Sequence, residues 1–126
     1  MKIKSRIMIV DGDAVVCEIY GDFLKQNGFE VWIASNVDIA LELVKTEEPD
    51  LILTDVKLPY RTGFELYETL KMFYPNTPVV FMTSDDIDPQ IIDNLKKYGR
   101  KWFTKLIKLD EMLEIIRGEL STSQTG

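Results

Sequence analysis

Four short apolar runs punctuate the chain, and each stops at a residue with useful chemistry. Ile7-Met8-Ile9-Val10 stops at Asp11 and Leu51-Ile52-Leu53-Thr54 at Asp55; Val79-Val80-Phe81-Met82 stops at Thr83 and Trp102-Phe103-Thr104 at Lys105. A fifth stretch, Phe29 to Ala34, alternates weakly. Runs this short, bounded by Pro, Gly and Asp, read as strands rather than helices. Their near-continuous apolar character predicts burial on both faces, as in a parallel sheet. Between them the spacing is helical. Ala14 to Asn27 carries Val16, Ile19, Tyr20, Phe23 and Leu24 on one predicted face, with Gly28 as a left-handed stop.

Ser35 or Asn36 caps a second predicted helix, with Ile39, Ala40, Leu43 and Val44 inward. Thr62 and Glu65 have capping-box spacing for a third, whose inner residues are Leu66, Tyr67, Leu70 and Phe73 or Tyr74. Pro75 and Pro78 close it. Asp88-Pro89 opens a fourth helix, striped by Ile91, Ile92, Leu95 and Tyr98. Leu109, Met112, Leu113, Ile116 and Leu120 stripe the last. Strand and helix thus alternate five times, which calls for an α/β fold: a doubly wound five-stranded parallel sheet, helices on both faces, crossovers right-handed. Residues 1–120 are expected to form one domain, and the small polar residues 121–126 a flexible tail or linker stub.

Composition narrows the function classes. With 126 residues the chain can bury a real core. A net charge of −6 argues against general binding to nucleic acid or anionic membrane. No apolar run approaches a membrane span, and Ile7–Val10 is too short for a signal-peptide core. The single Cys17 cannot form an internal disulfide, which fits the cytoplasm. The chain has no histidine, so histidine triads, histidine zinc sites and a phosphohistidine role are excluded.

In a parallel sheet all carboxyl ends lie along one edge, so Asp11, Asp55, Thr83 and Lys105 converge if their strands are neighbours. Two close carboxylates repel, and a hard cation such as Mg²⁺, held by oxygen ligands, relieves them. A hydroxyl and an ammonium opposite suit a phosphoryl group, one by hydrogen bonding and the other by charge. Asp85, Asp86 and Asp88 precede a helix N-terminus, where acids suit the helix dipole.

These motifs, with Pro49-Asp50 before the Asp55 strand, Val56-Lys57-Leu58-Pro59 after it and Gly63 beyond, resemble a bacterial response-regulator receiver domain of two-component signalling. The resemblance runs from about Arg6 to Leu120. It implies the flavodoxin-like strand order 2-1-3-4-5, with Asp55 accepting a phosphoryl group from a histidine kinase or phosphotransfer protein. It further implies Mg²⁺ held by Asp11, Asp55 and the backbone carbonyl of Lys57. Thr83 would bind the new phosphoryl oxygen, Lys105 would pair with it, and Thr83 with Trp102 would form the switch. Such domains assist their own phosphorylation and dephosphorylation but are signalling modules, not metabolic enzymes. An output protein or second receiver is implied at the face of the fourth helix, fifth strand and fifth helix, where Lys96, Lys97, Arg100, Lys101, Lys105 and Lys108 gather.

The chain departs from the family pattern at Gly12, Leu106, Ser84 and the segment Tyr98-Gly99-Arg100-Lys101. Gly12 stands where a second acid is usual, which predicts Mg²⁺ affinity lowered by ~10- to 100-fold. Asp13, one residue later, is expected to cap the first helix. Leu106 stands where a cis proline is usual, which predicts a trans Lys105–Leu106 bond. Two other readings remain: a pseudo-receiver that binds partners without phosphorylation, and a haloacid-dehalogenase-type phosphatase with Asp11 as nucleophile and Asp13 as general acid.

Overall fold

The structure, a computed structural model, describes residues 4–84, 88–105 and 107–125. The Lys105–Leu106 bond and the acids Asp85 and Asp86 therefore lie outside the described residues. Strand and helix alternate throughout: β1 (Arg6–Val10), α1 (Ala14–Gln26), β2 (Glu30–Ala34), α2 (Val37–Glu47), β3 (Leu51–Asp55), α3 (Gly63–Phe73), β4 (Val79–Thr83), α4 (Pro89–Tyr98), β5 (Trp102–Thr104) and α5 (Leu109–Thr125). The strands form one parallel sheet in the expected order, β2-β1-β3-β4-β5. No helix among the described residues is long and apolar enough to cross a membrane.

Alternation along each strand divides the interior into two cores. Ile7, Ile9, Leu51, Leu53, Val80 and Met82 pack with Tyr20 and Leu24 of α1 and with Met112, Ile116 and Leu120 of α5. Met8, Val10, Ile52, Val79 and Phe81 pack with Ala40 and Val44 of α2, Leu66 and Leu70 of α3 and Leu95 of α4. The helices start where side-chain oxygens satisfy their first amides. Asp13 accepts from Val15 at 2.9 Å, Asn36 from Ile39 at 2.9 Å, Thr62 from Glu65 at 3.1 Å and Asp88 from Gln90 at 2.9 Å.

Several predicted helix faces are displaced. On α1 the buried residues are Cys17, Tyr20, Gly21 and Leu24, while Ile19 is exposed. Gly21 sits against β2 on that side: a Cβ there would stand 3.7 Å from the Val31 and Ile33 side chains, ordinary contact distance. On α2 Val37 is buried and Ile39 is exposed; on α3 Phe73 is exposed, and Tyr67 and Tyr74 cover the core only in part. Within the expected tail at 121–126, α5 continues to Thr125. No Pro interrupts it before that point, and the Thr122 hydroxyl donates to the Gly118 carbonyl at 3.0 Å.

Helix α4 contributes a single fully buried residue, Leu95, and is otherwise held by an aromatic cluster. Tyr98 stacks on Phe64 of α3 with ring centroids 5.3 Å apart and meets the edge of Tyr67 at 5.3 Å. Phe81 of β4, two residues before Thr83, lies beneath both Phe64 and Tyr67.

Candidate functional site

Register brings the predicted strand ends together. Val10 pairs with Thr54, Asp55 with Met82, and Thr83 with Thr104, so the next residues along β1, β4 and β5 line one edge around Asp55. Asp11 is held there by its own amide, which donates to the Ala34 carbonyl at 3.0 Å, and Lys105 by an amide donating to the Thr83 carbonyl at 2.9 Å. These backbone bonds extend the sheet by one step at the edge where side chains are needed.

The Lys105 ammonium closes the site. Its Nζ lies 2.8 Å from Asp11 Oδ2 and 2.9 Å from Asp55 Oδ2. The Asp55 contact is a hydrogen bond. The Asp11 contact is an ion pair, and among the described residues no donor other than the Lys105 ammonium reaches the buried Asp11 Oδ2. Asp11 Oδ1 accepts from the Asp13 amide at 2.8 Å. Both acids are nearly inaccessible, with side chains 2% and 11% exposed, so most of the water that would screen them is absent.

That burial decides the proton affinities. It pushes the Asp55 carboxyl above its ordinary value, with the neighbouring Asp11 charge adding to the effect. Hydrogen bonds from Lys105 and the Lys57 amide pull the other way without cancelling it. Burial also works against the Lys105 ammonium, but the Asp11 and Asp55 carboxylates outweigh it and its pKa is raised. The arrangement holds two carboxylates beside one cation, with a residual negative charge.

The remaining expected residues fall at different distances from this centre. Thr83 is buried at the end of β4, between the strands of Asp55 and Lys105. Lys57 touches the site through its amide. Trp102 lies on β5 opposite Phe81, half-buried against the α2–α4 core, and not among the charged groups. Asp13 is engaged as the α1 cap, accepting from Val15 and Val16. That is the capping role expected of Asp13. Of the six basic residues expected on one face, Lys105 turns into the site and Arg100 lies 3.9 Å from Glu119 of α5. Lys96, Lys97, Lys101 and Lys108 are exposed.

The donor set fits a hard cation in its minimum form. Two carboxylates converge on one point, now held by the Lys105 ammonium, and oxygen donors of this kind are what Mg²⁺ takes. Gly12 supplies no side-chain oxygen, but it leaves room for one. A Cβ there would stand 3.4 Å from the Pro59 ring and 3.8 Å from the Ser35 carbonyl, ordinary contact distances. Gly12→Asp is therefore expected to fold and to raise Mg²⁺ affinity by ~10-fold or more, read by titrating Mg²⁺ against Trp102 fluorescence. An unchanged affinity would show that position 12 does not reach the metal.

Sequence reading missed two groups in this region. The Thr54 hydroxyl, fully buried, donates to the Asp55 carbonyl at 3.0 Å. The Tyr20 hydroxyl donates to the Lys105 carbonyl at 3.1 Å. Neither leaves a local signature, since Thr54 reads as a strand residue and Tyr20 as a helix-face aromatic. Cys17 lies close by and donates to the Asp11 carbonyl at 3.4 Å. Burial, then the charges of Asp11 and Asp13, push its thiol up to about 11, so it is not a nucleophile at neutral pH.

Comparison with known proteins places the geometry in context. Residues 7–117 match the response regulator receiver domain. The fold is similar to a CheY-like receiver domain protein of Methanospirillum hungatei, at TM-score 0.89 and 26% identity over 97% of this chain and 98% of that one. It is also similar to a response regulator receiver domain protein of Clostridium thermocellum, at TM-score 0.87 and 19% identity over 96% and 98%. The chemotaxis response regulator CheY4 of Vibrio cholerae superimposes at TM-score 0.82 and 24% identity over 92% and 98%.

Proposed function

Because the chain belongs to the response regulator receiver domain family, we propose that Asp55 accepts a phosphoryl group from the phosphohistidine of a histidine kinase or phosphotransfer protein. The observation that carries this reading is the Lys105 ammonium shared between Asp11 and Asp55 at a carboxyl edge of the sheet. An Asp55 oxygen forms the new O–P bond while the N–P bond of the donor breaks, and the electron pair returns to the imidazole nitrogen. Lys105 then balances charge on the phosphoryl oxygens, and the Thr83 hydroxyl donates to one of them. Asp11, Asp55 and the Lys57 carbonyl would hold Mg²⁺. When bound, the ion supplies charge neutralisation between the acids and the incoming phosphoryl group.

Loss of the Lys105–Asp55 hydrogen bond on phosphorylation is the signal in this reading, passed through Thr83 to Trp102 and α4. Helix α4 suits that part because it has one fully buried residue and an otherwise aromatic hold. The phosphodonor docks beside the site, where Val15, Ile19 and Tyr60 expose apolar surface. An output protein or second receiver docks at the Lys96–Lys108 face. We take residues 1–120 as the receiver unit and 121–126 as an appended segment.

Incubation with Mg²⁺ and acetyl phosphate, followed by peptide mass analysis, tests the proposal. The expected result is one phosphoryl group on Asp55, and none on the Asp55→Asn variant. Modification of Asp11 instead would favour the phosphatase-type chemistry. No modification, with partner binding intact, would favour a phosphorylation-independent interaction module, the reading to which Gly12 lends support. Asp55→Asn is also expected to raise Tm by a few degrees, since it removes a carboxylate whose charged form burial disfavours.

A further inference from the structure

The inner face of α1 carries a hydroxyl that packing does not require. Tyr20 is 5% exposed and lies in the apolar core with Ile7, Ile9, Leu53 and Phe103, where its ring meets Phe103 edge-on at 6.4 Å. Phenylalanine would fill the same space. A hydroxyl in such surroundings is unfavourable unless it is hydrogen-bonded. Here it has a partner 85 residues away in sequence, the Lys105 backbone carbonyl, at 3.1 Å. Burial raises the phenol pKa, so the group is a donor throughout the neutral range.

Lys105 is consequently pinned on both sides of its Cα. Its amide donates to Thr83 of β4 at 2.9 Å, and its carbonyl accepts from Tyr20 of α1. From that fixed backbone the side chain reaches Asp55 at 2.9 Å and Asp11 at 2.8 Å. The loop that enters α1 holds the other end of the ion pair, through the Asp13 amide on Asp11 Oδ1 at 2.8 Å. One helix therefore ties down both a carboxylate and the backbone of the cation that neutralises it. We infer that Tyr20 is a positioning residue for phosphoryl transfer, fixing the Lys105 backbone so that its ammonium sits between Asp11 and Asp55. The inference rests on Asp55 as phosphoacceptor for its catalytic consequence, but the placement of the ammonium stands apart from that reading.

The experiment compares wild type, Tyr20→Phe, Lys105→Ala and the double variant in two ways. The first is the rate of Asp55 phosphorylation by acetyl phosphate with Mg²⁺. Tyr20→Phe is expected to slow it by ~10-fold, the equivalent of one hydrogen bond. The double variant is expected to be no slower than Lys105→Ala, because Tyr20 acts through the lysine. A wild-type rate in Tyr20→Phe, or a further ~10-fold loss in the double variant, would overturn the inference. The second readout needs no phosphorylation: the ¹⁵N-resolved signal of the Lys105 ammonium in the protein alone. Clamping between two carboxylates slows its exchange with water, so the signal is expected in wild type and expected to broaden away in Tyr20→Phe while the rest of the ¹⁵N spectrum stays that of a folded protein. A signal retained in Tyr20→Phe, or absent in wild type, would overturn the positioning role. If wild type is not phosphorylated, this readout alone decides on Tyr20, and only the phosphoacceptor reading fails.

Discussion

Gly63→Ala is expected to destabilise the protein by about 3 kcal/mol or more, the upper range for an overpacked interior site. The cause is space rather than backbone torsion. A Cβ at Gly63 would run into the Asp55 carbonyl oxygen and would stand 3.1 Å from the Asp55 carbonyl carbon and 3.2 Å from Val56 Cα. All three are backbone atoms, so no side-chain rotation can relieve the contact. The Gly63 amide also donates to the Val56 carbonyl at 2.8 Å, and moving α3 outward would stretch that bond. The outward movement would carry the end of β3 with it, so loss of Asp55 phosphorylation should accompany a fall in Tm of roughly 10 °C or more.

Gly118→Ala is the control. Gly118 lies in α5 with nothing within 4 Å of a built Cβ, so alanine there should stabilise by about 0.5–1 kcal/mol. Thermal melts of the two variants should move in opposite directions. A Gly63→Ala melt within a degree of wild type would mean that the close approach of α3 to the Asp55 backbone is relieved cheaply.

The position of Gly63 marks how far sequence could be read. Its motif spacing was visible, but the reason for it, contact with the Asp55 carbonyl, requires the fold. The meeting of Asp11, Asp55 and Lys105 was legible because three apolar runs end in those residues and a parallel sheet sets every strand end on one edge. Helix faces were less legible. Helix α1 carries Val15, Val16, Cys17, Ile19 and Tyr20 in its first two turns, so apolar spacing alone admits more than one inward face. The choice is made by packing in the fold, which sets Cys17, Tyr20, Gly21 and Leu24 inward and leaves Ile19 exposed. The Tyr20–Lys105 bond lay out of reach for a different reason: its partner is a backbone carbonyl, and every residue offers the same atom.

Lys105→Met tests the electrostatics from the other side. The methionine keeps most of the packing and removes the charge, leaving Asp11 and Asp55 buried together without a cation. Breaking a fully buried pair in this way costs roughly 3–5 kcal/mol. The Lys105 side chain is 20% exposed, and water reaches the open side of the site, so about 2 kcal/mol is the expected loss at neutral pH. The pH dependence fixes the sign. In wild type the raised Lys105 pKa contributes stability that is complete below the ordinary lysine value and is lost as pH rises through the folded-state value. The stability of wild type should therefore fall more steeply across the alkaline range than unperturbed lysines would give, and Lys105→Met should lack that component. The Asp55 carboxyl runs in the same direction, at lower pH. Its folded-state pKa lies above the unfolded value, so protonation stabilises the fold, and stability from this group rises as pH falls through the folded-state value. Removing Lys105 deletes an opposing influence and moves that rise to higher pH. Denaturant melts of Lys105→Met should then show the deficit against wild type shrinking steadily as the pH is lowered toward the acid range. A deficit that stays constant with pH would mean that the methionine disturbs packing and that the two carboxylates are not coupled to the ammonium.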